Sequence, residues 1–200
     1  MLGIFLDIET SGLDCYRHKV LEIAFKILNL DSGEEKASFH AVVKHSQEVW
    51  DQVDPLSINI NGFSFEKMLQ GKEKAWVSDE IIRIFREQNI QKGQSVFICQ
   101  NPAFDRPFFS QLVDPYRQER ENWPYHWLDL ASMFWAIEAK KRHLQGQLGP
   151  DETKLSKNAI AEFYGLPTEA MPHSAFNGVN HLILCYNFVV GFESQTSTLI

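Results

Sequence analysis

Cysteine is scarce in this chain: three in 200 residues, at Cys15, Cys99 and Cys185. They are odd in number, far apart and without a C-x-x-C pair. That argues against a disulfide frame and a cysteine zinc site, and reads as reduced thiols in a cytoplasmic protein. A basic surplus is also lacking. With 19 Lys and Arg against 26 Asp and Glu the formal charge is −7, which is not the footprint of a protein that grips nucleic acid by neutralising phosphates; such binding has to rest on a local site or a bound metal. Long apolar runs are absent as well. None approaches the roughly 18 residues of a membrane-spanning helix, and Met1-Leu2-Gly3-Ile4 enters an apolar strand without the charged leader of a signal peptide. Internal repeats and low-complexity segments are missing too.

What remains is a chain 44% hydrophobic, long enough for one well-buried core and short for two. One domain over residues 1–192 is expected, with a Ser/Thr-rich flexible tail at 193–200. Phe5 to Leu13 reads as an apolar strand ending at a glycine turn. Val20 to Leu28 and Ala37 to Lys44 follow as alternating strands joined by the turn Asp31-Ser32-Gly33-Glu34. Asp54 to Phe63 reads as a short helix or turn running into a polar loop. Asp79 to Gln88 is a helix with Ser78 as its N-cap and a stripe of Ile81, Ile82, Ile84 and Phe85. Ser95 to Cys99 is a short, fully apolar strand of the central kind. Pro107 suits a first helical turn, so Asp105 falls at a helix start, where an N-cap role would also explain it. Trp127 to Leu130 reads as a fifth strand, followed by a helix from Ala131 to Lys141, an exposed loop from Arg142 to Thr153, an amphipathic helix from Leu155 to Tyr164 and a last helix from Ser174 to Gly191. Three strands followed by alternating helices and strands predict an α/β fold with a five-stranded mixed sheet and helices on both faces.

Period 2 sets Asp7 and Glu9 on one face of the first strand. Two neighbouring carboxylates on an apolar strand repel each other and lose hydration on burial. A bound cation removes both costs; an exposed strand edge avoids them. Asp105 comes from the end of a neighbouring strand, where ligands gather in such sheets.

Asp7-Ile8-Glu9-Thr10, Asn101-Pro102-Ala103-Phe104-Asp105 and His173-Ser174-Ala175 resemble motifs I, II and III of the DEDDh (DnaQ-like) 3′-to-5′ exonucleases, in order and spacing over residues 3–191. Gly12-Leu13, Leu21-Glu22-Ile23-Ala24, Asn61-Gly62 and Leu155-Ser156-Lys157 add to the likeness; the last two stretches, with His173-Ser174-Ala175, are most similar to the ribonuclease T branch. The resemblance implies an RNase H-like fold and hydrolysis at 3′ ends of single-stranded DNA or RNA with two Mg²⁺ or Mn²⁺ ions, which take hard oxygen ligands. By that likeness Asp7, Glu9 and Asp105 are the metal ligands and His173 the general base, a role suited to imidazole. Thr10, Gly12, Leu13, Asn61, Asn101 and Phe104 are the substrate contacts, Leu13 and Phe104 offering apolar surface to bases. A homodimer or association with a DNA polymerase is implied in the same way. Asp129 matches no ligand position and reads as structural; His181 reads as a helix-face residue, and Lys140-Lys141-Arg142 as a basic patch or a solvated helix end.

The likeness fails at one place. Motif III is H-x-A-x-x-D, and five residues after His173 stands Gly178, flanked by the neutral Asn177 and Asn180. A step of one residue turns a helix by about 100°, so Asn177 does not substitute. Gln100 and Pro102 also depart from the motif II pattern. The missing ligand implies a weakened nuclease or, alternatively, an inactive domain kept for nucleic-acid binding or polymerase association.

Overall fold

The protein is described by a computed structural model covering residues 1–146 and 154–192. The expected tail at 193–200 and the end of the expected loop, 147–153, lie outside the described residues. Five strands, β1 (Leu2–Thr10), β2 (Val20–Asn29), β3 (Glu35–Val42), β4 (Ser95–Cys99) and β5 (Trp127–Asp129), form one sheet in the order β3-β2-β1-β4-β5. β1 pairs antiparallel with β2 and parallel with β4; β2–β3 is antiparallel and β4–β5 parallel. The predicted mixed five-stranded sheet is therefore observed.

Three short helices, α1 (Gln47–Trp50), α2 (Pro55–Asn61) and α3 (Phe65–Leu69), follow β3, and α4 (Lys74–Glu87) leads into β4. Next come α5 (Pro102–Leu112), α6 (Pro115–Arg120), α7 (Leu130–Leu144), α8 (Lys157–Phe163) and α9 (Ala175–Val189). The alternation of β1 explains how they are layered. Ile4, Leu6 and Ile8 point into a core shared with Val77, Ile81 and Phe85 of α4 and Phe108 and Phe109 of α5. Phe5 points the other way, into a core shared with Leu130 and Phe134 of α7, Ile160 of α8 and Val179 and Leu182 of α9. Helices thus cover both faces.

Some boundaries differ from expectation for local reasons. The helix placed after Ser78 starts at Lys74, because buried Val77 extends the Ile81–Phe85 stripe by one turn. α7 continues to Leu144 through the basic residues Lys141, Arg142 and His143, which complement the negative end of a helix dipole. Pro107 lies inside α5, not in its first turn, because Pro102 takes the first helical position, where a missing N–H costs nothing.

Candidate active site

Asp7 and Glu9 follow Phe5 along the β1 face that α9 covers. In register they oppose Ala24 and Glu22 of β2. Asp105 lies in the first turn of α5, directly after β4, and is 5% exposed. The turn is fixed by Asn101, which adopts a left-handed conformation (φ 59°) and donates its N–H to Asp129 Oδ1 at 3.0 Å. Asp129 caps α7 as well, accepting from Ala131 N at 3.2 Å and Ser132 N at 3.1 Å. It is the structural acid the sequence suggested.

His173 is held by its backbone, its N–H donating to Ile60 O at 3.0 Å. Two residues on, the Ala175 N–H donates to Glu22 Oε2 at 3.3 Å, and Ser174 caps α9. These contacts bring Asp7, Glu9, Asp105 and His173 to the wall of one cavity of about 310 Å³, with Phe104, Lys157 and Glu169 also lining it.

The electrostatics are those of crowded, dehydrated acids. Burial pushes the Asp7 carboxyl above its usual range; Lys157 opposes that rise and Glu169 adds to it. Asp105 is raised well above the carboxylate range by burial and then by the charge of Asp7. Glu9 is pushed up to about 8 by burial, then by Asp7, Glu22 and Glu169. The compensating charge is Lys157. Its Nζ stands 2.9 Å from Glu169 Oε2 and 3.4 Å from Asp7 Oδ1, and it donates to Gly178 O at 3.1 Å. Burial works against the ammonium, but Asp7 and Glu169 more than offset it.

Lys157 and Glu169 are what sequence reasoning missed as site residues. Lys157 stands out in the sequence only as part of the Leu155-Ser156-Lys157 stretch, and Glu169 carries no signal beyond being an acid four residues before His173.

The donor chemistry fits a hard divalent cation: the acids are all-oxygen, repel one another, and one buried oxygen, Glu169 Oε1, lacks a hydrogen-bond partner. Among the described residues no three His, Cys, Asp or Glu side chains are already drawn around a common point; the acids share a cavity, with the Lys157 ammonium between two of them.

The other predicted residues lie outside that lining. Thr10 is buried and donates from Oγ1 to Gly12 O at 2.8 Å. Asn61 is 3% exposed, donates to Thr10 O at 3.0 Å and accepts from Phe63 N at 3.2 Å, so its amide is engaged with its own chain. Asn101 and Leu13 are exposed, Leu13 at 75%. His181 is buried, its Nε2 2.9 Å from Pro167 O, where the sequence suggested an ordinary helix-face position.

Compared with known proteins, the chain is 26% identical over 143 residues to ribonuclease T of Haemophilus influenzae and 23% identical over 133 residues to that of Actinobacillus pleuropneumoniae. These alignments cover 65% and 62% of this chain and 59% and 58% of the relatives. No family model matches. Among solved structures, Escherichia coli exonuclease I in complex with a dA13 oligonucleotide superposes with a TM-score of 0.74 at 15% identity, over 97% of this chain and 41% of that one. Cell-death related nuclease 4 superposes with a TM-score of 0.68 at 16% identity, over 96% and 65%. The chain is a distant homologue of ribonuclease T with the exonuclease I fold. Both likenesses are consistent with the DnaQ-like DEDDh group. The RNase H-like fold explains why the three motif regions converge on one cavity.

Proposed function

We propose that the chain is a metal-dependent exonuclease that hydrolyses phosphodiester bonds at the 3′ ends of single-stranded DNA or RNA. The observation that carries this reading is the convergence of Asp7, Glu9, Asp105 and His173, from three separate stretches of chain, on one cavity. Asp7, Glu9 and Asp105 would hold the expected Mg²⁺ or Mn²⁺ ions, two in the DEDDh pattern. Bound divalent ions supply Lewis-acid stabilisation of the phosphoryl charge and a more acidic water. His173, backbone-pinned and half-exposed at the cavity wall, takes a proton from the attacking water at a ring nitrogen. Phe104 at the wall and exposed Leu13 offer apolar surface to the terminal bases. Thr10 and Gly12 shape the turn that carries Leu13, and Asn61 braces it from beneath through Thr10 O. Asn101, exposed where α5 begins, is the remaining polar contact for the strand.

Among the described residues no helix is long and apolar enough to cross a membrane, and the three cysteines are unpaired; a cytoplasmic location belongs to the same reading. The homodimer and the polymerase association rest on the DEDDh likeness, and sedimentation of the purified chain alone and with a polymerase tests them.

A 5′-labelled single-stranded oligonucleotide with Mn²⁺ tests the activity. A ladder shortening from the 3′ end is expected, reduced at least about 100-fold in Asp7→Asn and His173→Ala. An inert wild-type chain that still binds the strand would instead establish the non-catalytic module, the reading that Gly178 favours.

A further inference from the structure

Position 178, where the DEDDh pattern has its last acid, offers no side chain, and the structure has used the space. A Cβ built on Gly178 would lie 2.6 Å from Asp7 Cγ and 3.0 Å from Asp7 Oδ1. Asp7 therefore leans against the bare backbone of α9. The ammonium of Lys157 binds both partners, bonding to Gly178 O and pairing with Asp7 Oδ1.

Another carboxylate reaches the same cavity by a different route. Glu169 lies in the segment between α8 and α9, four residues before His173, and its N–H donates to Asn158 Oδ1 at 2.8 Å. Its side chain is only 3% exposed. One oxygen, Oε2, pairs with Lys157 at 2.9 Å and stands 4.0 Å from His181 Nδ1. The other, Oε1, is buried without a hydrogen-bond partner. A buried carboxylate oxygen with nothing to accept from costs on the order of 1–3 kcal/mol, so a purely structural counter-ion for Lys157 would be expected to use both oxygens.

We propose that Glu169 is the fourth acid of this site, supplying from the segment before His173 the carboxylate that position 178 does not carry, with Oε1 as the atom available to a divalent cation. This rests on the nuclease reading above. It explains why a cavity short of one acid by motif still contains four by geometry, each of them an oxygen donor on one wall or another of the same space. Lys157 then acts as the internal counter-ion that keeps Asp7 and Glu169 from repelling each other.

The test is calorimetric titration of Mn²⁺ into the full chain, comparing wild type with Glu169→Gln, Asp7→Asn and Glu162→Gln, the last an exposed acid on α8. Glu169→Gln is expected to lower Mn²⁺ affinity at least about tenfold, or to remove one ion from the stoichiometry, and Glu162→Gln to match wild type. Wild-type binding in Glu169→Gln alongside weakened binding in Asp7→Asn overturns the role of Glu169 and leaves the nuclease reading standing. Absence of Mn²⁺ binding by wild type overturns both. Should Glu169→Gln fail to fold, ¹³C spectra of the wild-type chain decide: substoichiometric Mn²⁺ must broaden the Glu169 carboxyl resonance, and an unchanged resonance overturns the proposal.

Discussion

The Asp7 carboxyl occupies the space in which a side chain at Gly178 would begin, its Cγ 2.6 Å from the position of a Cβ there. Position 178 is thus a steric determinant of Asp7 as well as a missing ligand. Gly178→Ala should gain about 0.5–1 kcal/mol from helix propensity but displace Asp7 from Lys157, and overpacking in a buried site costs typically about 1–3 kcal/mol. The net expectation in urea denaturation without metal is a less stable protein, with Mn²⁺ binding altered because Asp7 has moved. Gly178→Asp should be less stable still in chelator, since it adds a further acid beside Asp7, yet gain more from added Mn²⁺ than wild type. Gly178→Ala more stable than wild type in chelator would show that Asp7 moves freely and has no stake in this position.

Lys157 is the ammonium among the side chains lining the cavity, and it pairs with the buried Glu169 and the partly buried Asp7. Removing one partner of a buried ion pair typically costs about 3–5 kcal/mol because the other charge is left uncompensated. Lys157→Met should lower the unfolding free energy on that scale in chelator, and Mn²⁺ should recover much of the loss, since the cation replaces the missing charge. Equal destabilisation with and without Mn²⁺ would mean that the ammonium and the metal do not share the same acids.

Much of the fold was legible because it is written in local periodicities. The alternation of β1, the apolar run of β4 and the α4 stripe each bury the face they display in sequence. The helices that were not anticipated, α1, α3 and α6, have four to six residues, too few for a 3.6-residue period to show. Within the site, Asp7, Glu9, Asp105 and His173 were legible because motif spacing carries them. Lys157 and Glu169 were not, since their role depends on a contact between α8, the segment before His173 and β1 that no local pattern encodes. Asn61 marks the opposite limit: its motif position suggested substrate, while its amide bonds Thr10 and Phe63.

Glu9 makes the metal-free protein pH-sensitive. Its folded value of about 8 lies above the ordinary 4.5, so the folded state holds a proton that the unfolded chain releases. The stability associated with that proton is fully present below about pH 4.5 and is lost as pH rises through 8. At about 1.36 kcal/mol per unit the loss reaches at most about 5 kcal/mol, reduced by the residual exposure of the group. In chelator, the midpoint of thermal unfolding should fall between pH 6 and pH 8.5 more steeply in wild type than in Glu9→Gln. Saturating Mn²⁺ should flatten the wild-type curve. Parallel curves for the two proteins in chelator would remove Glu9 as the source.

Glu22 links the sheet to the candidate base. Its Oε1 stands 2.5 Å from His40 Nε2 and its Oε2 accepts from Ala175 N at 3.3 Å. It thereby fixes the start of α9 two residues after His173 without lining the cavity itself. Glu22→Ala leaves the Ala175 N–H and the His40 ring without their acceptor, at a cost of roughly 1–3 kcal/mol for the unsatisfied group, and lets the segment carrying His173 shift. The expected kinetic signature is a fall in kcat of about tenfold or more with KM little changed, because misplacing a base by an ångström affects the chemical step more than strand binding. Glu22→Gln retains an oxygen able to accept from Ala175 N and should recover most of the rate. If Glu22→Ala lost stability but kept the wild-type kcat, the position of His173 would be set from the Ile60 side alone.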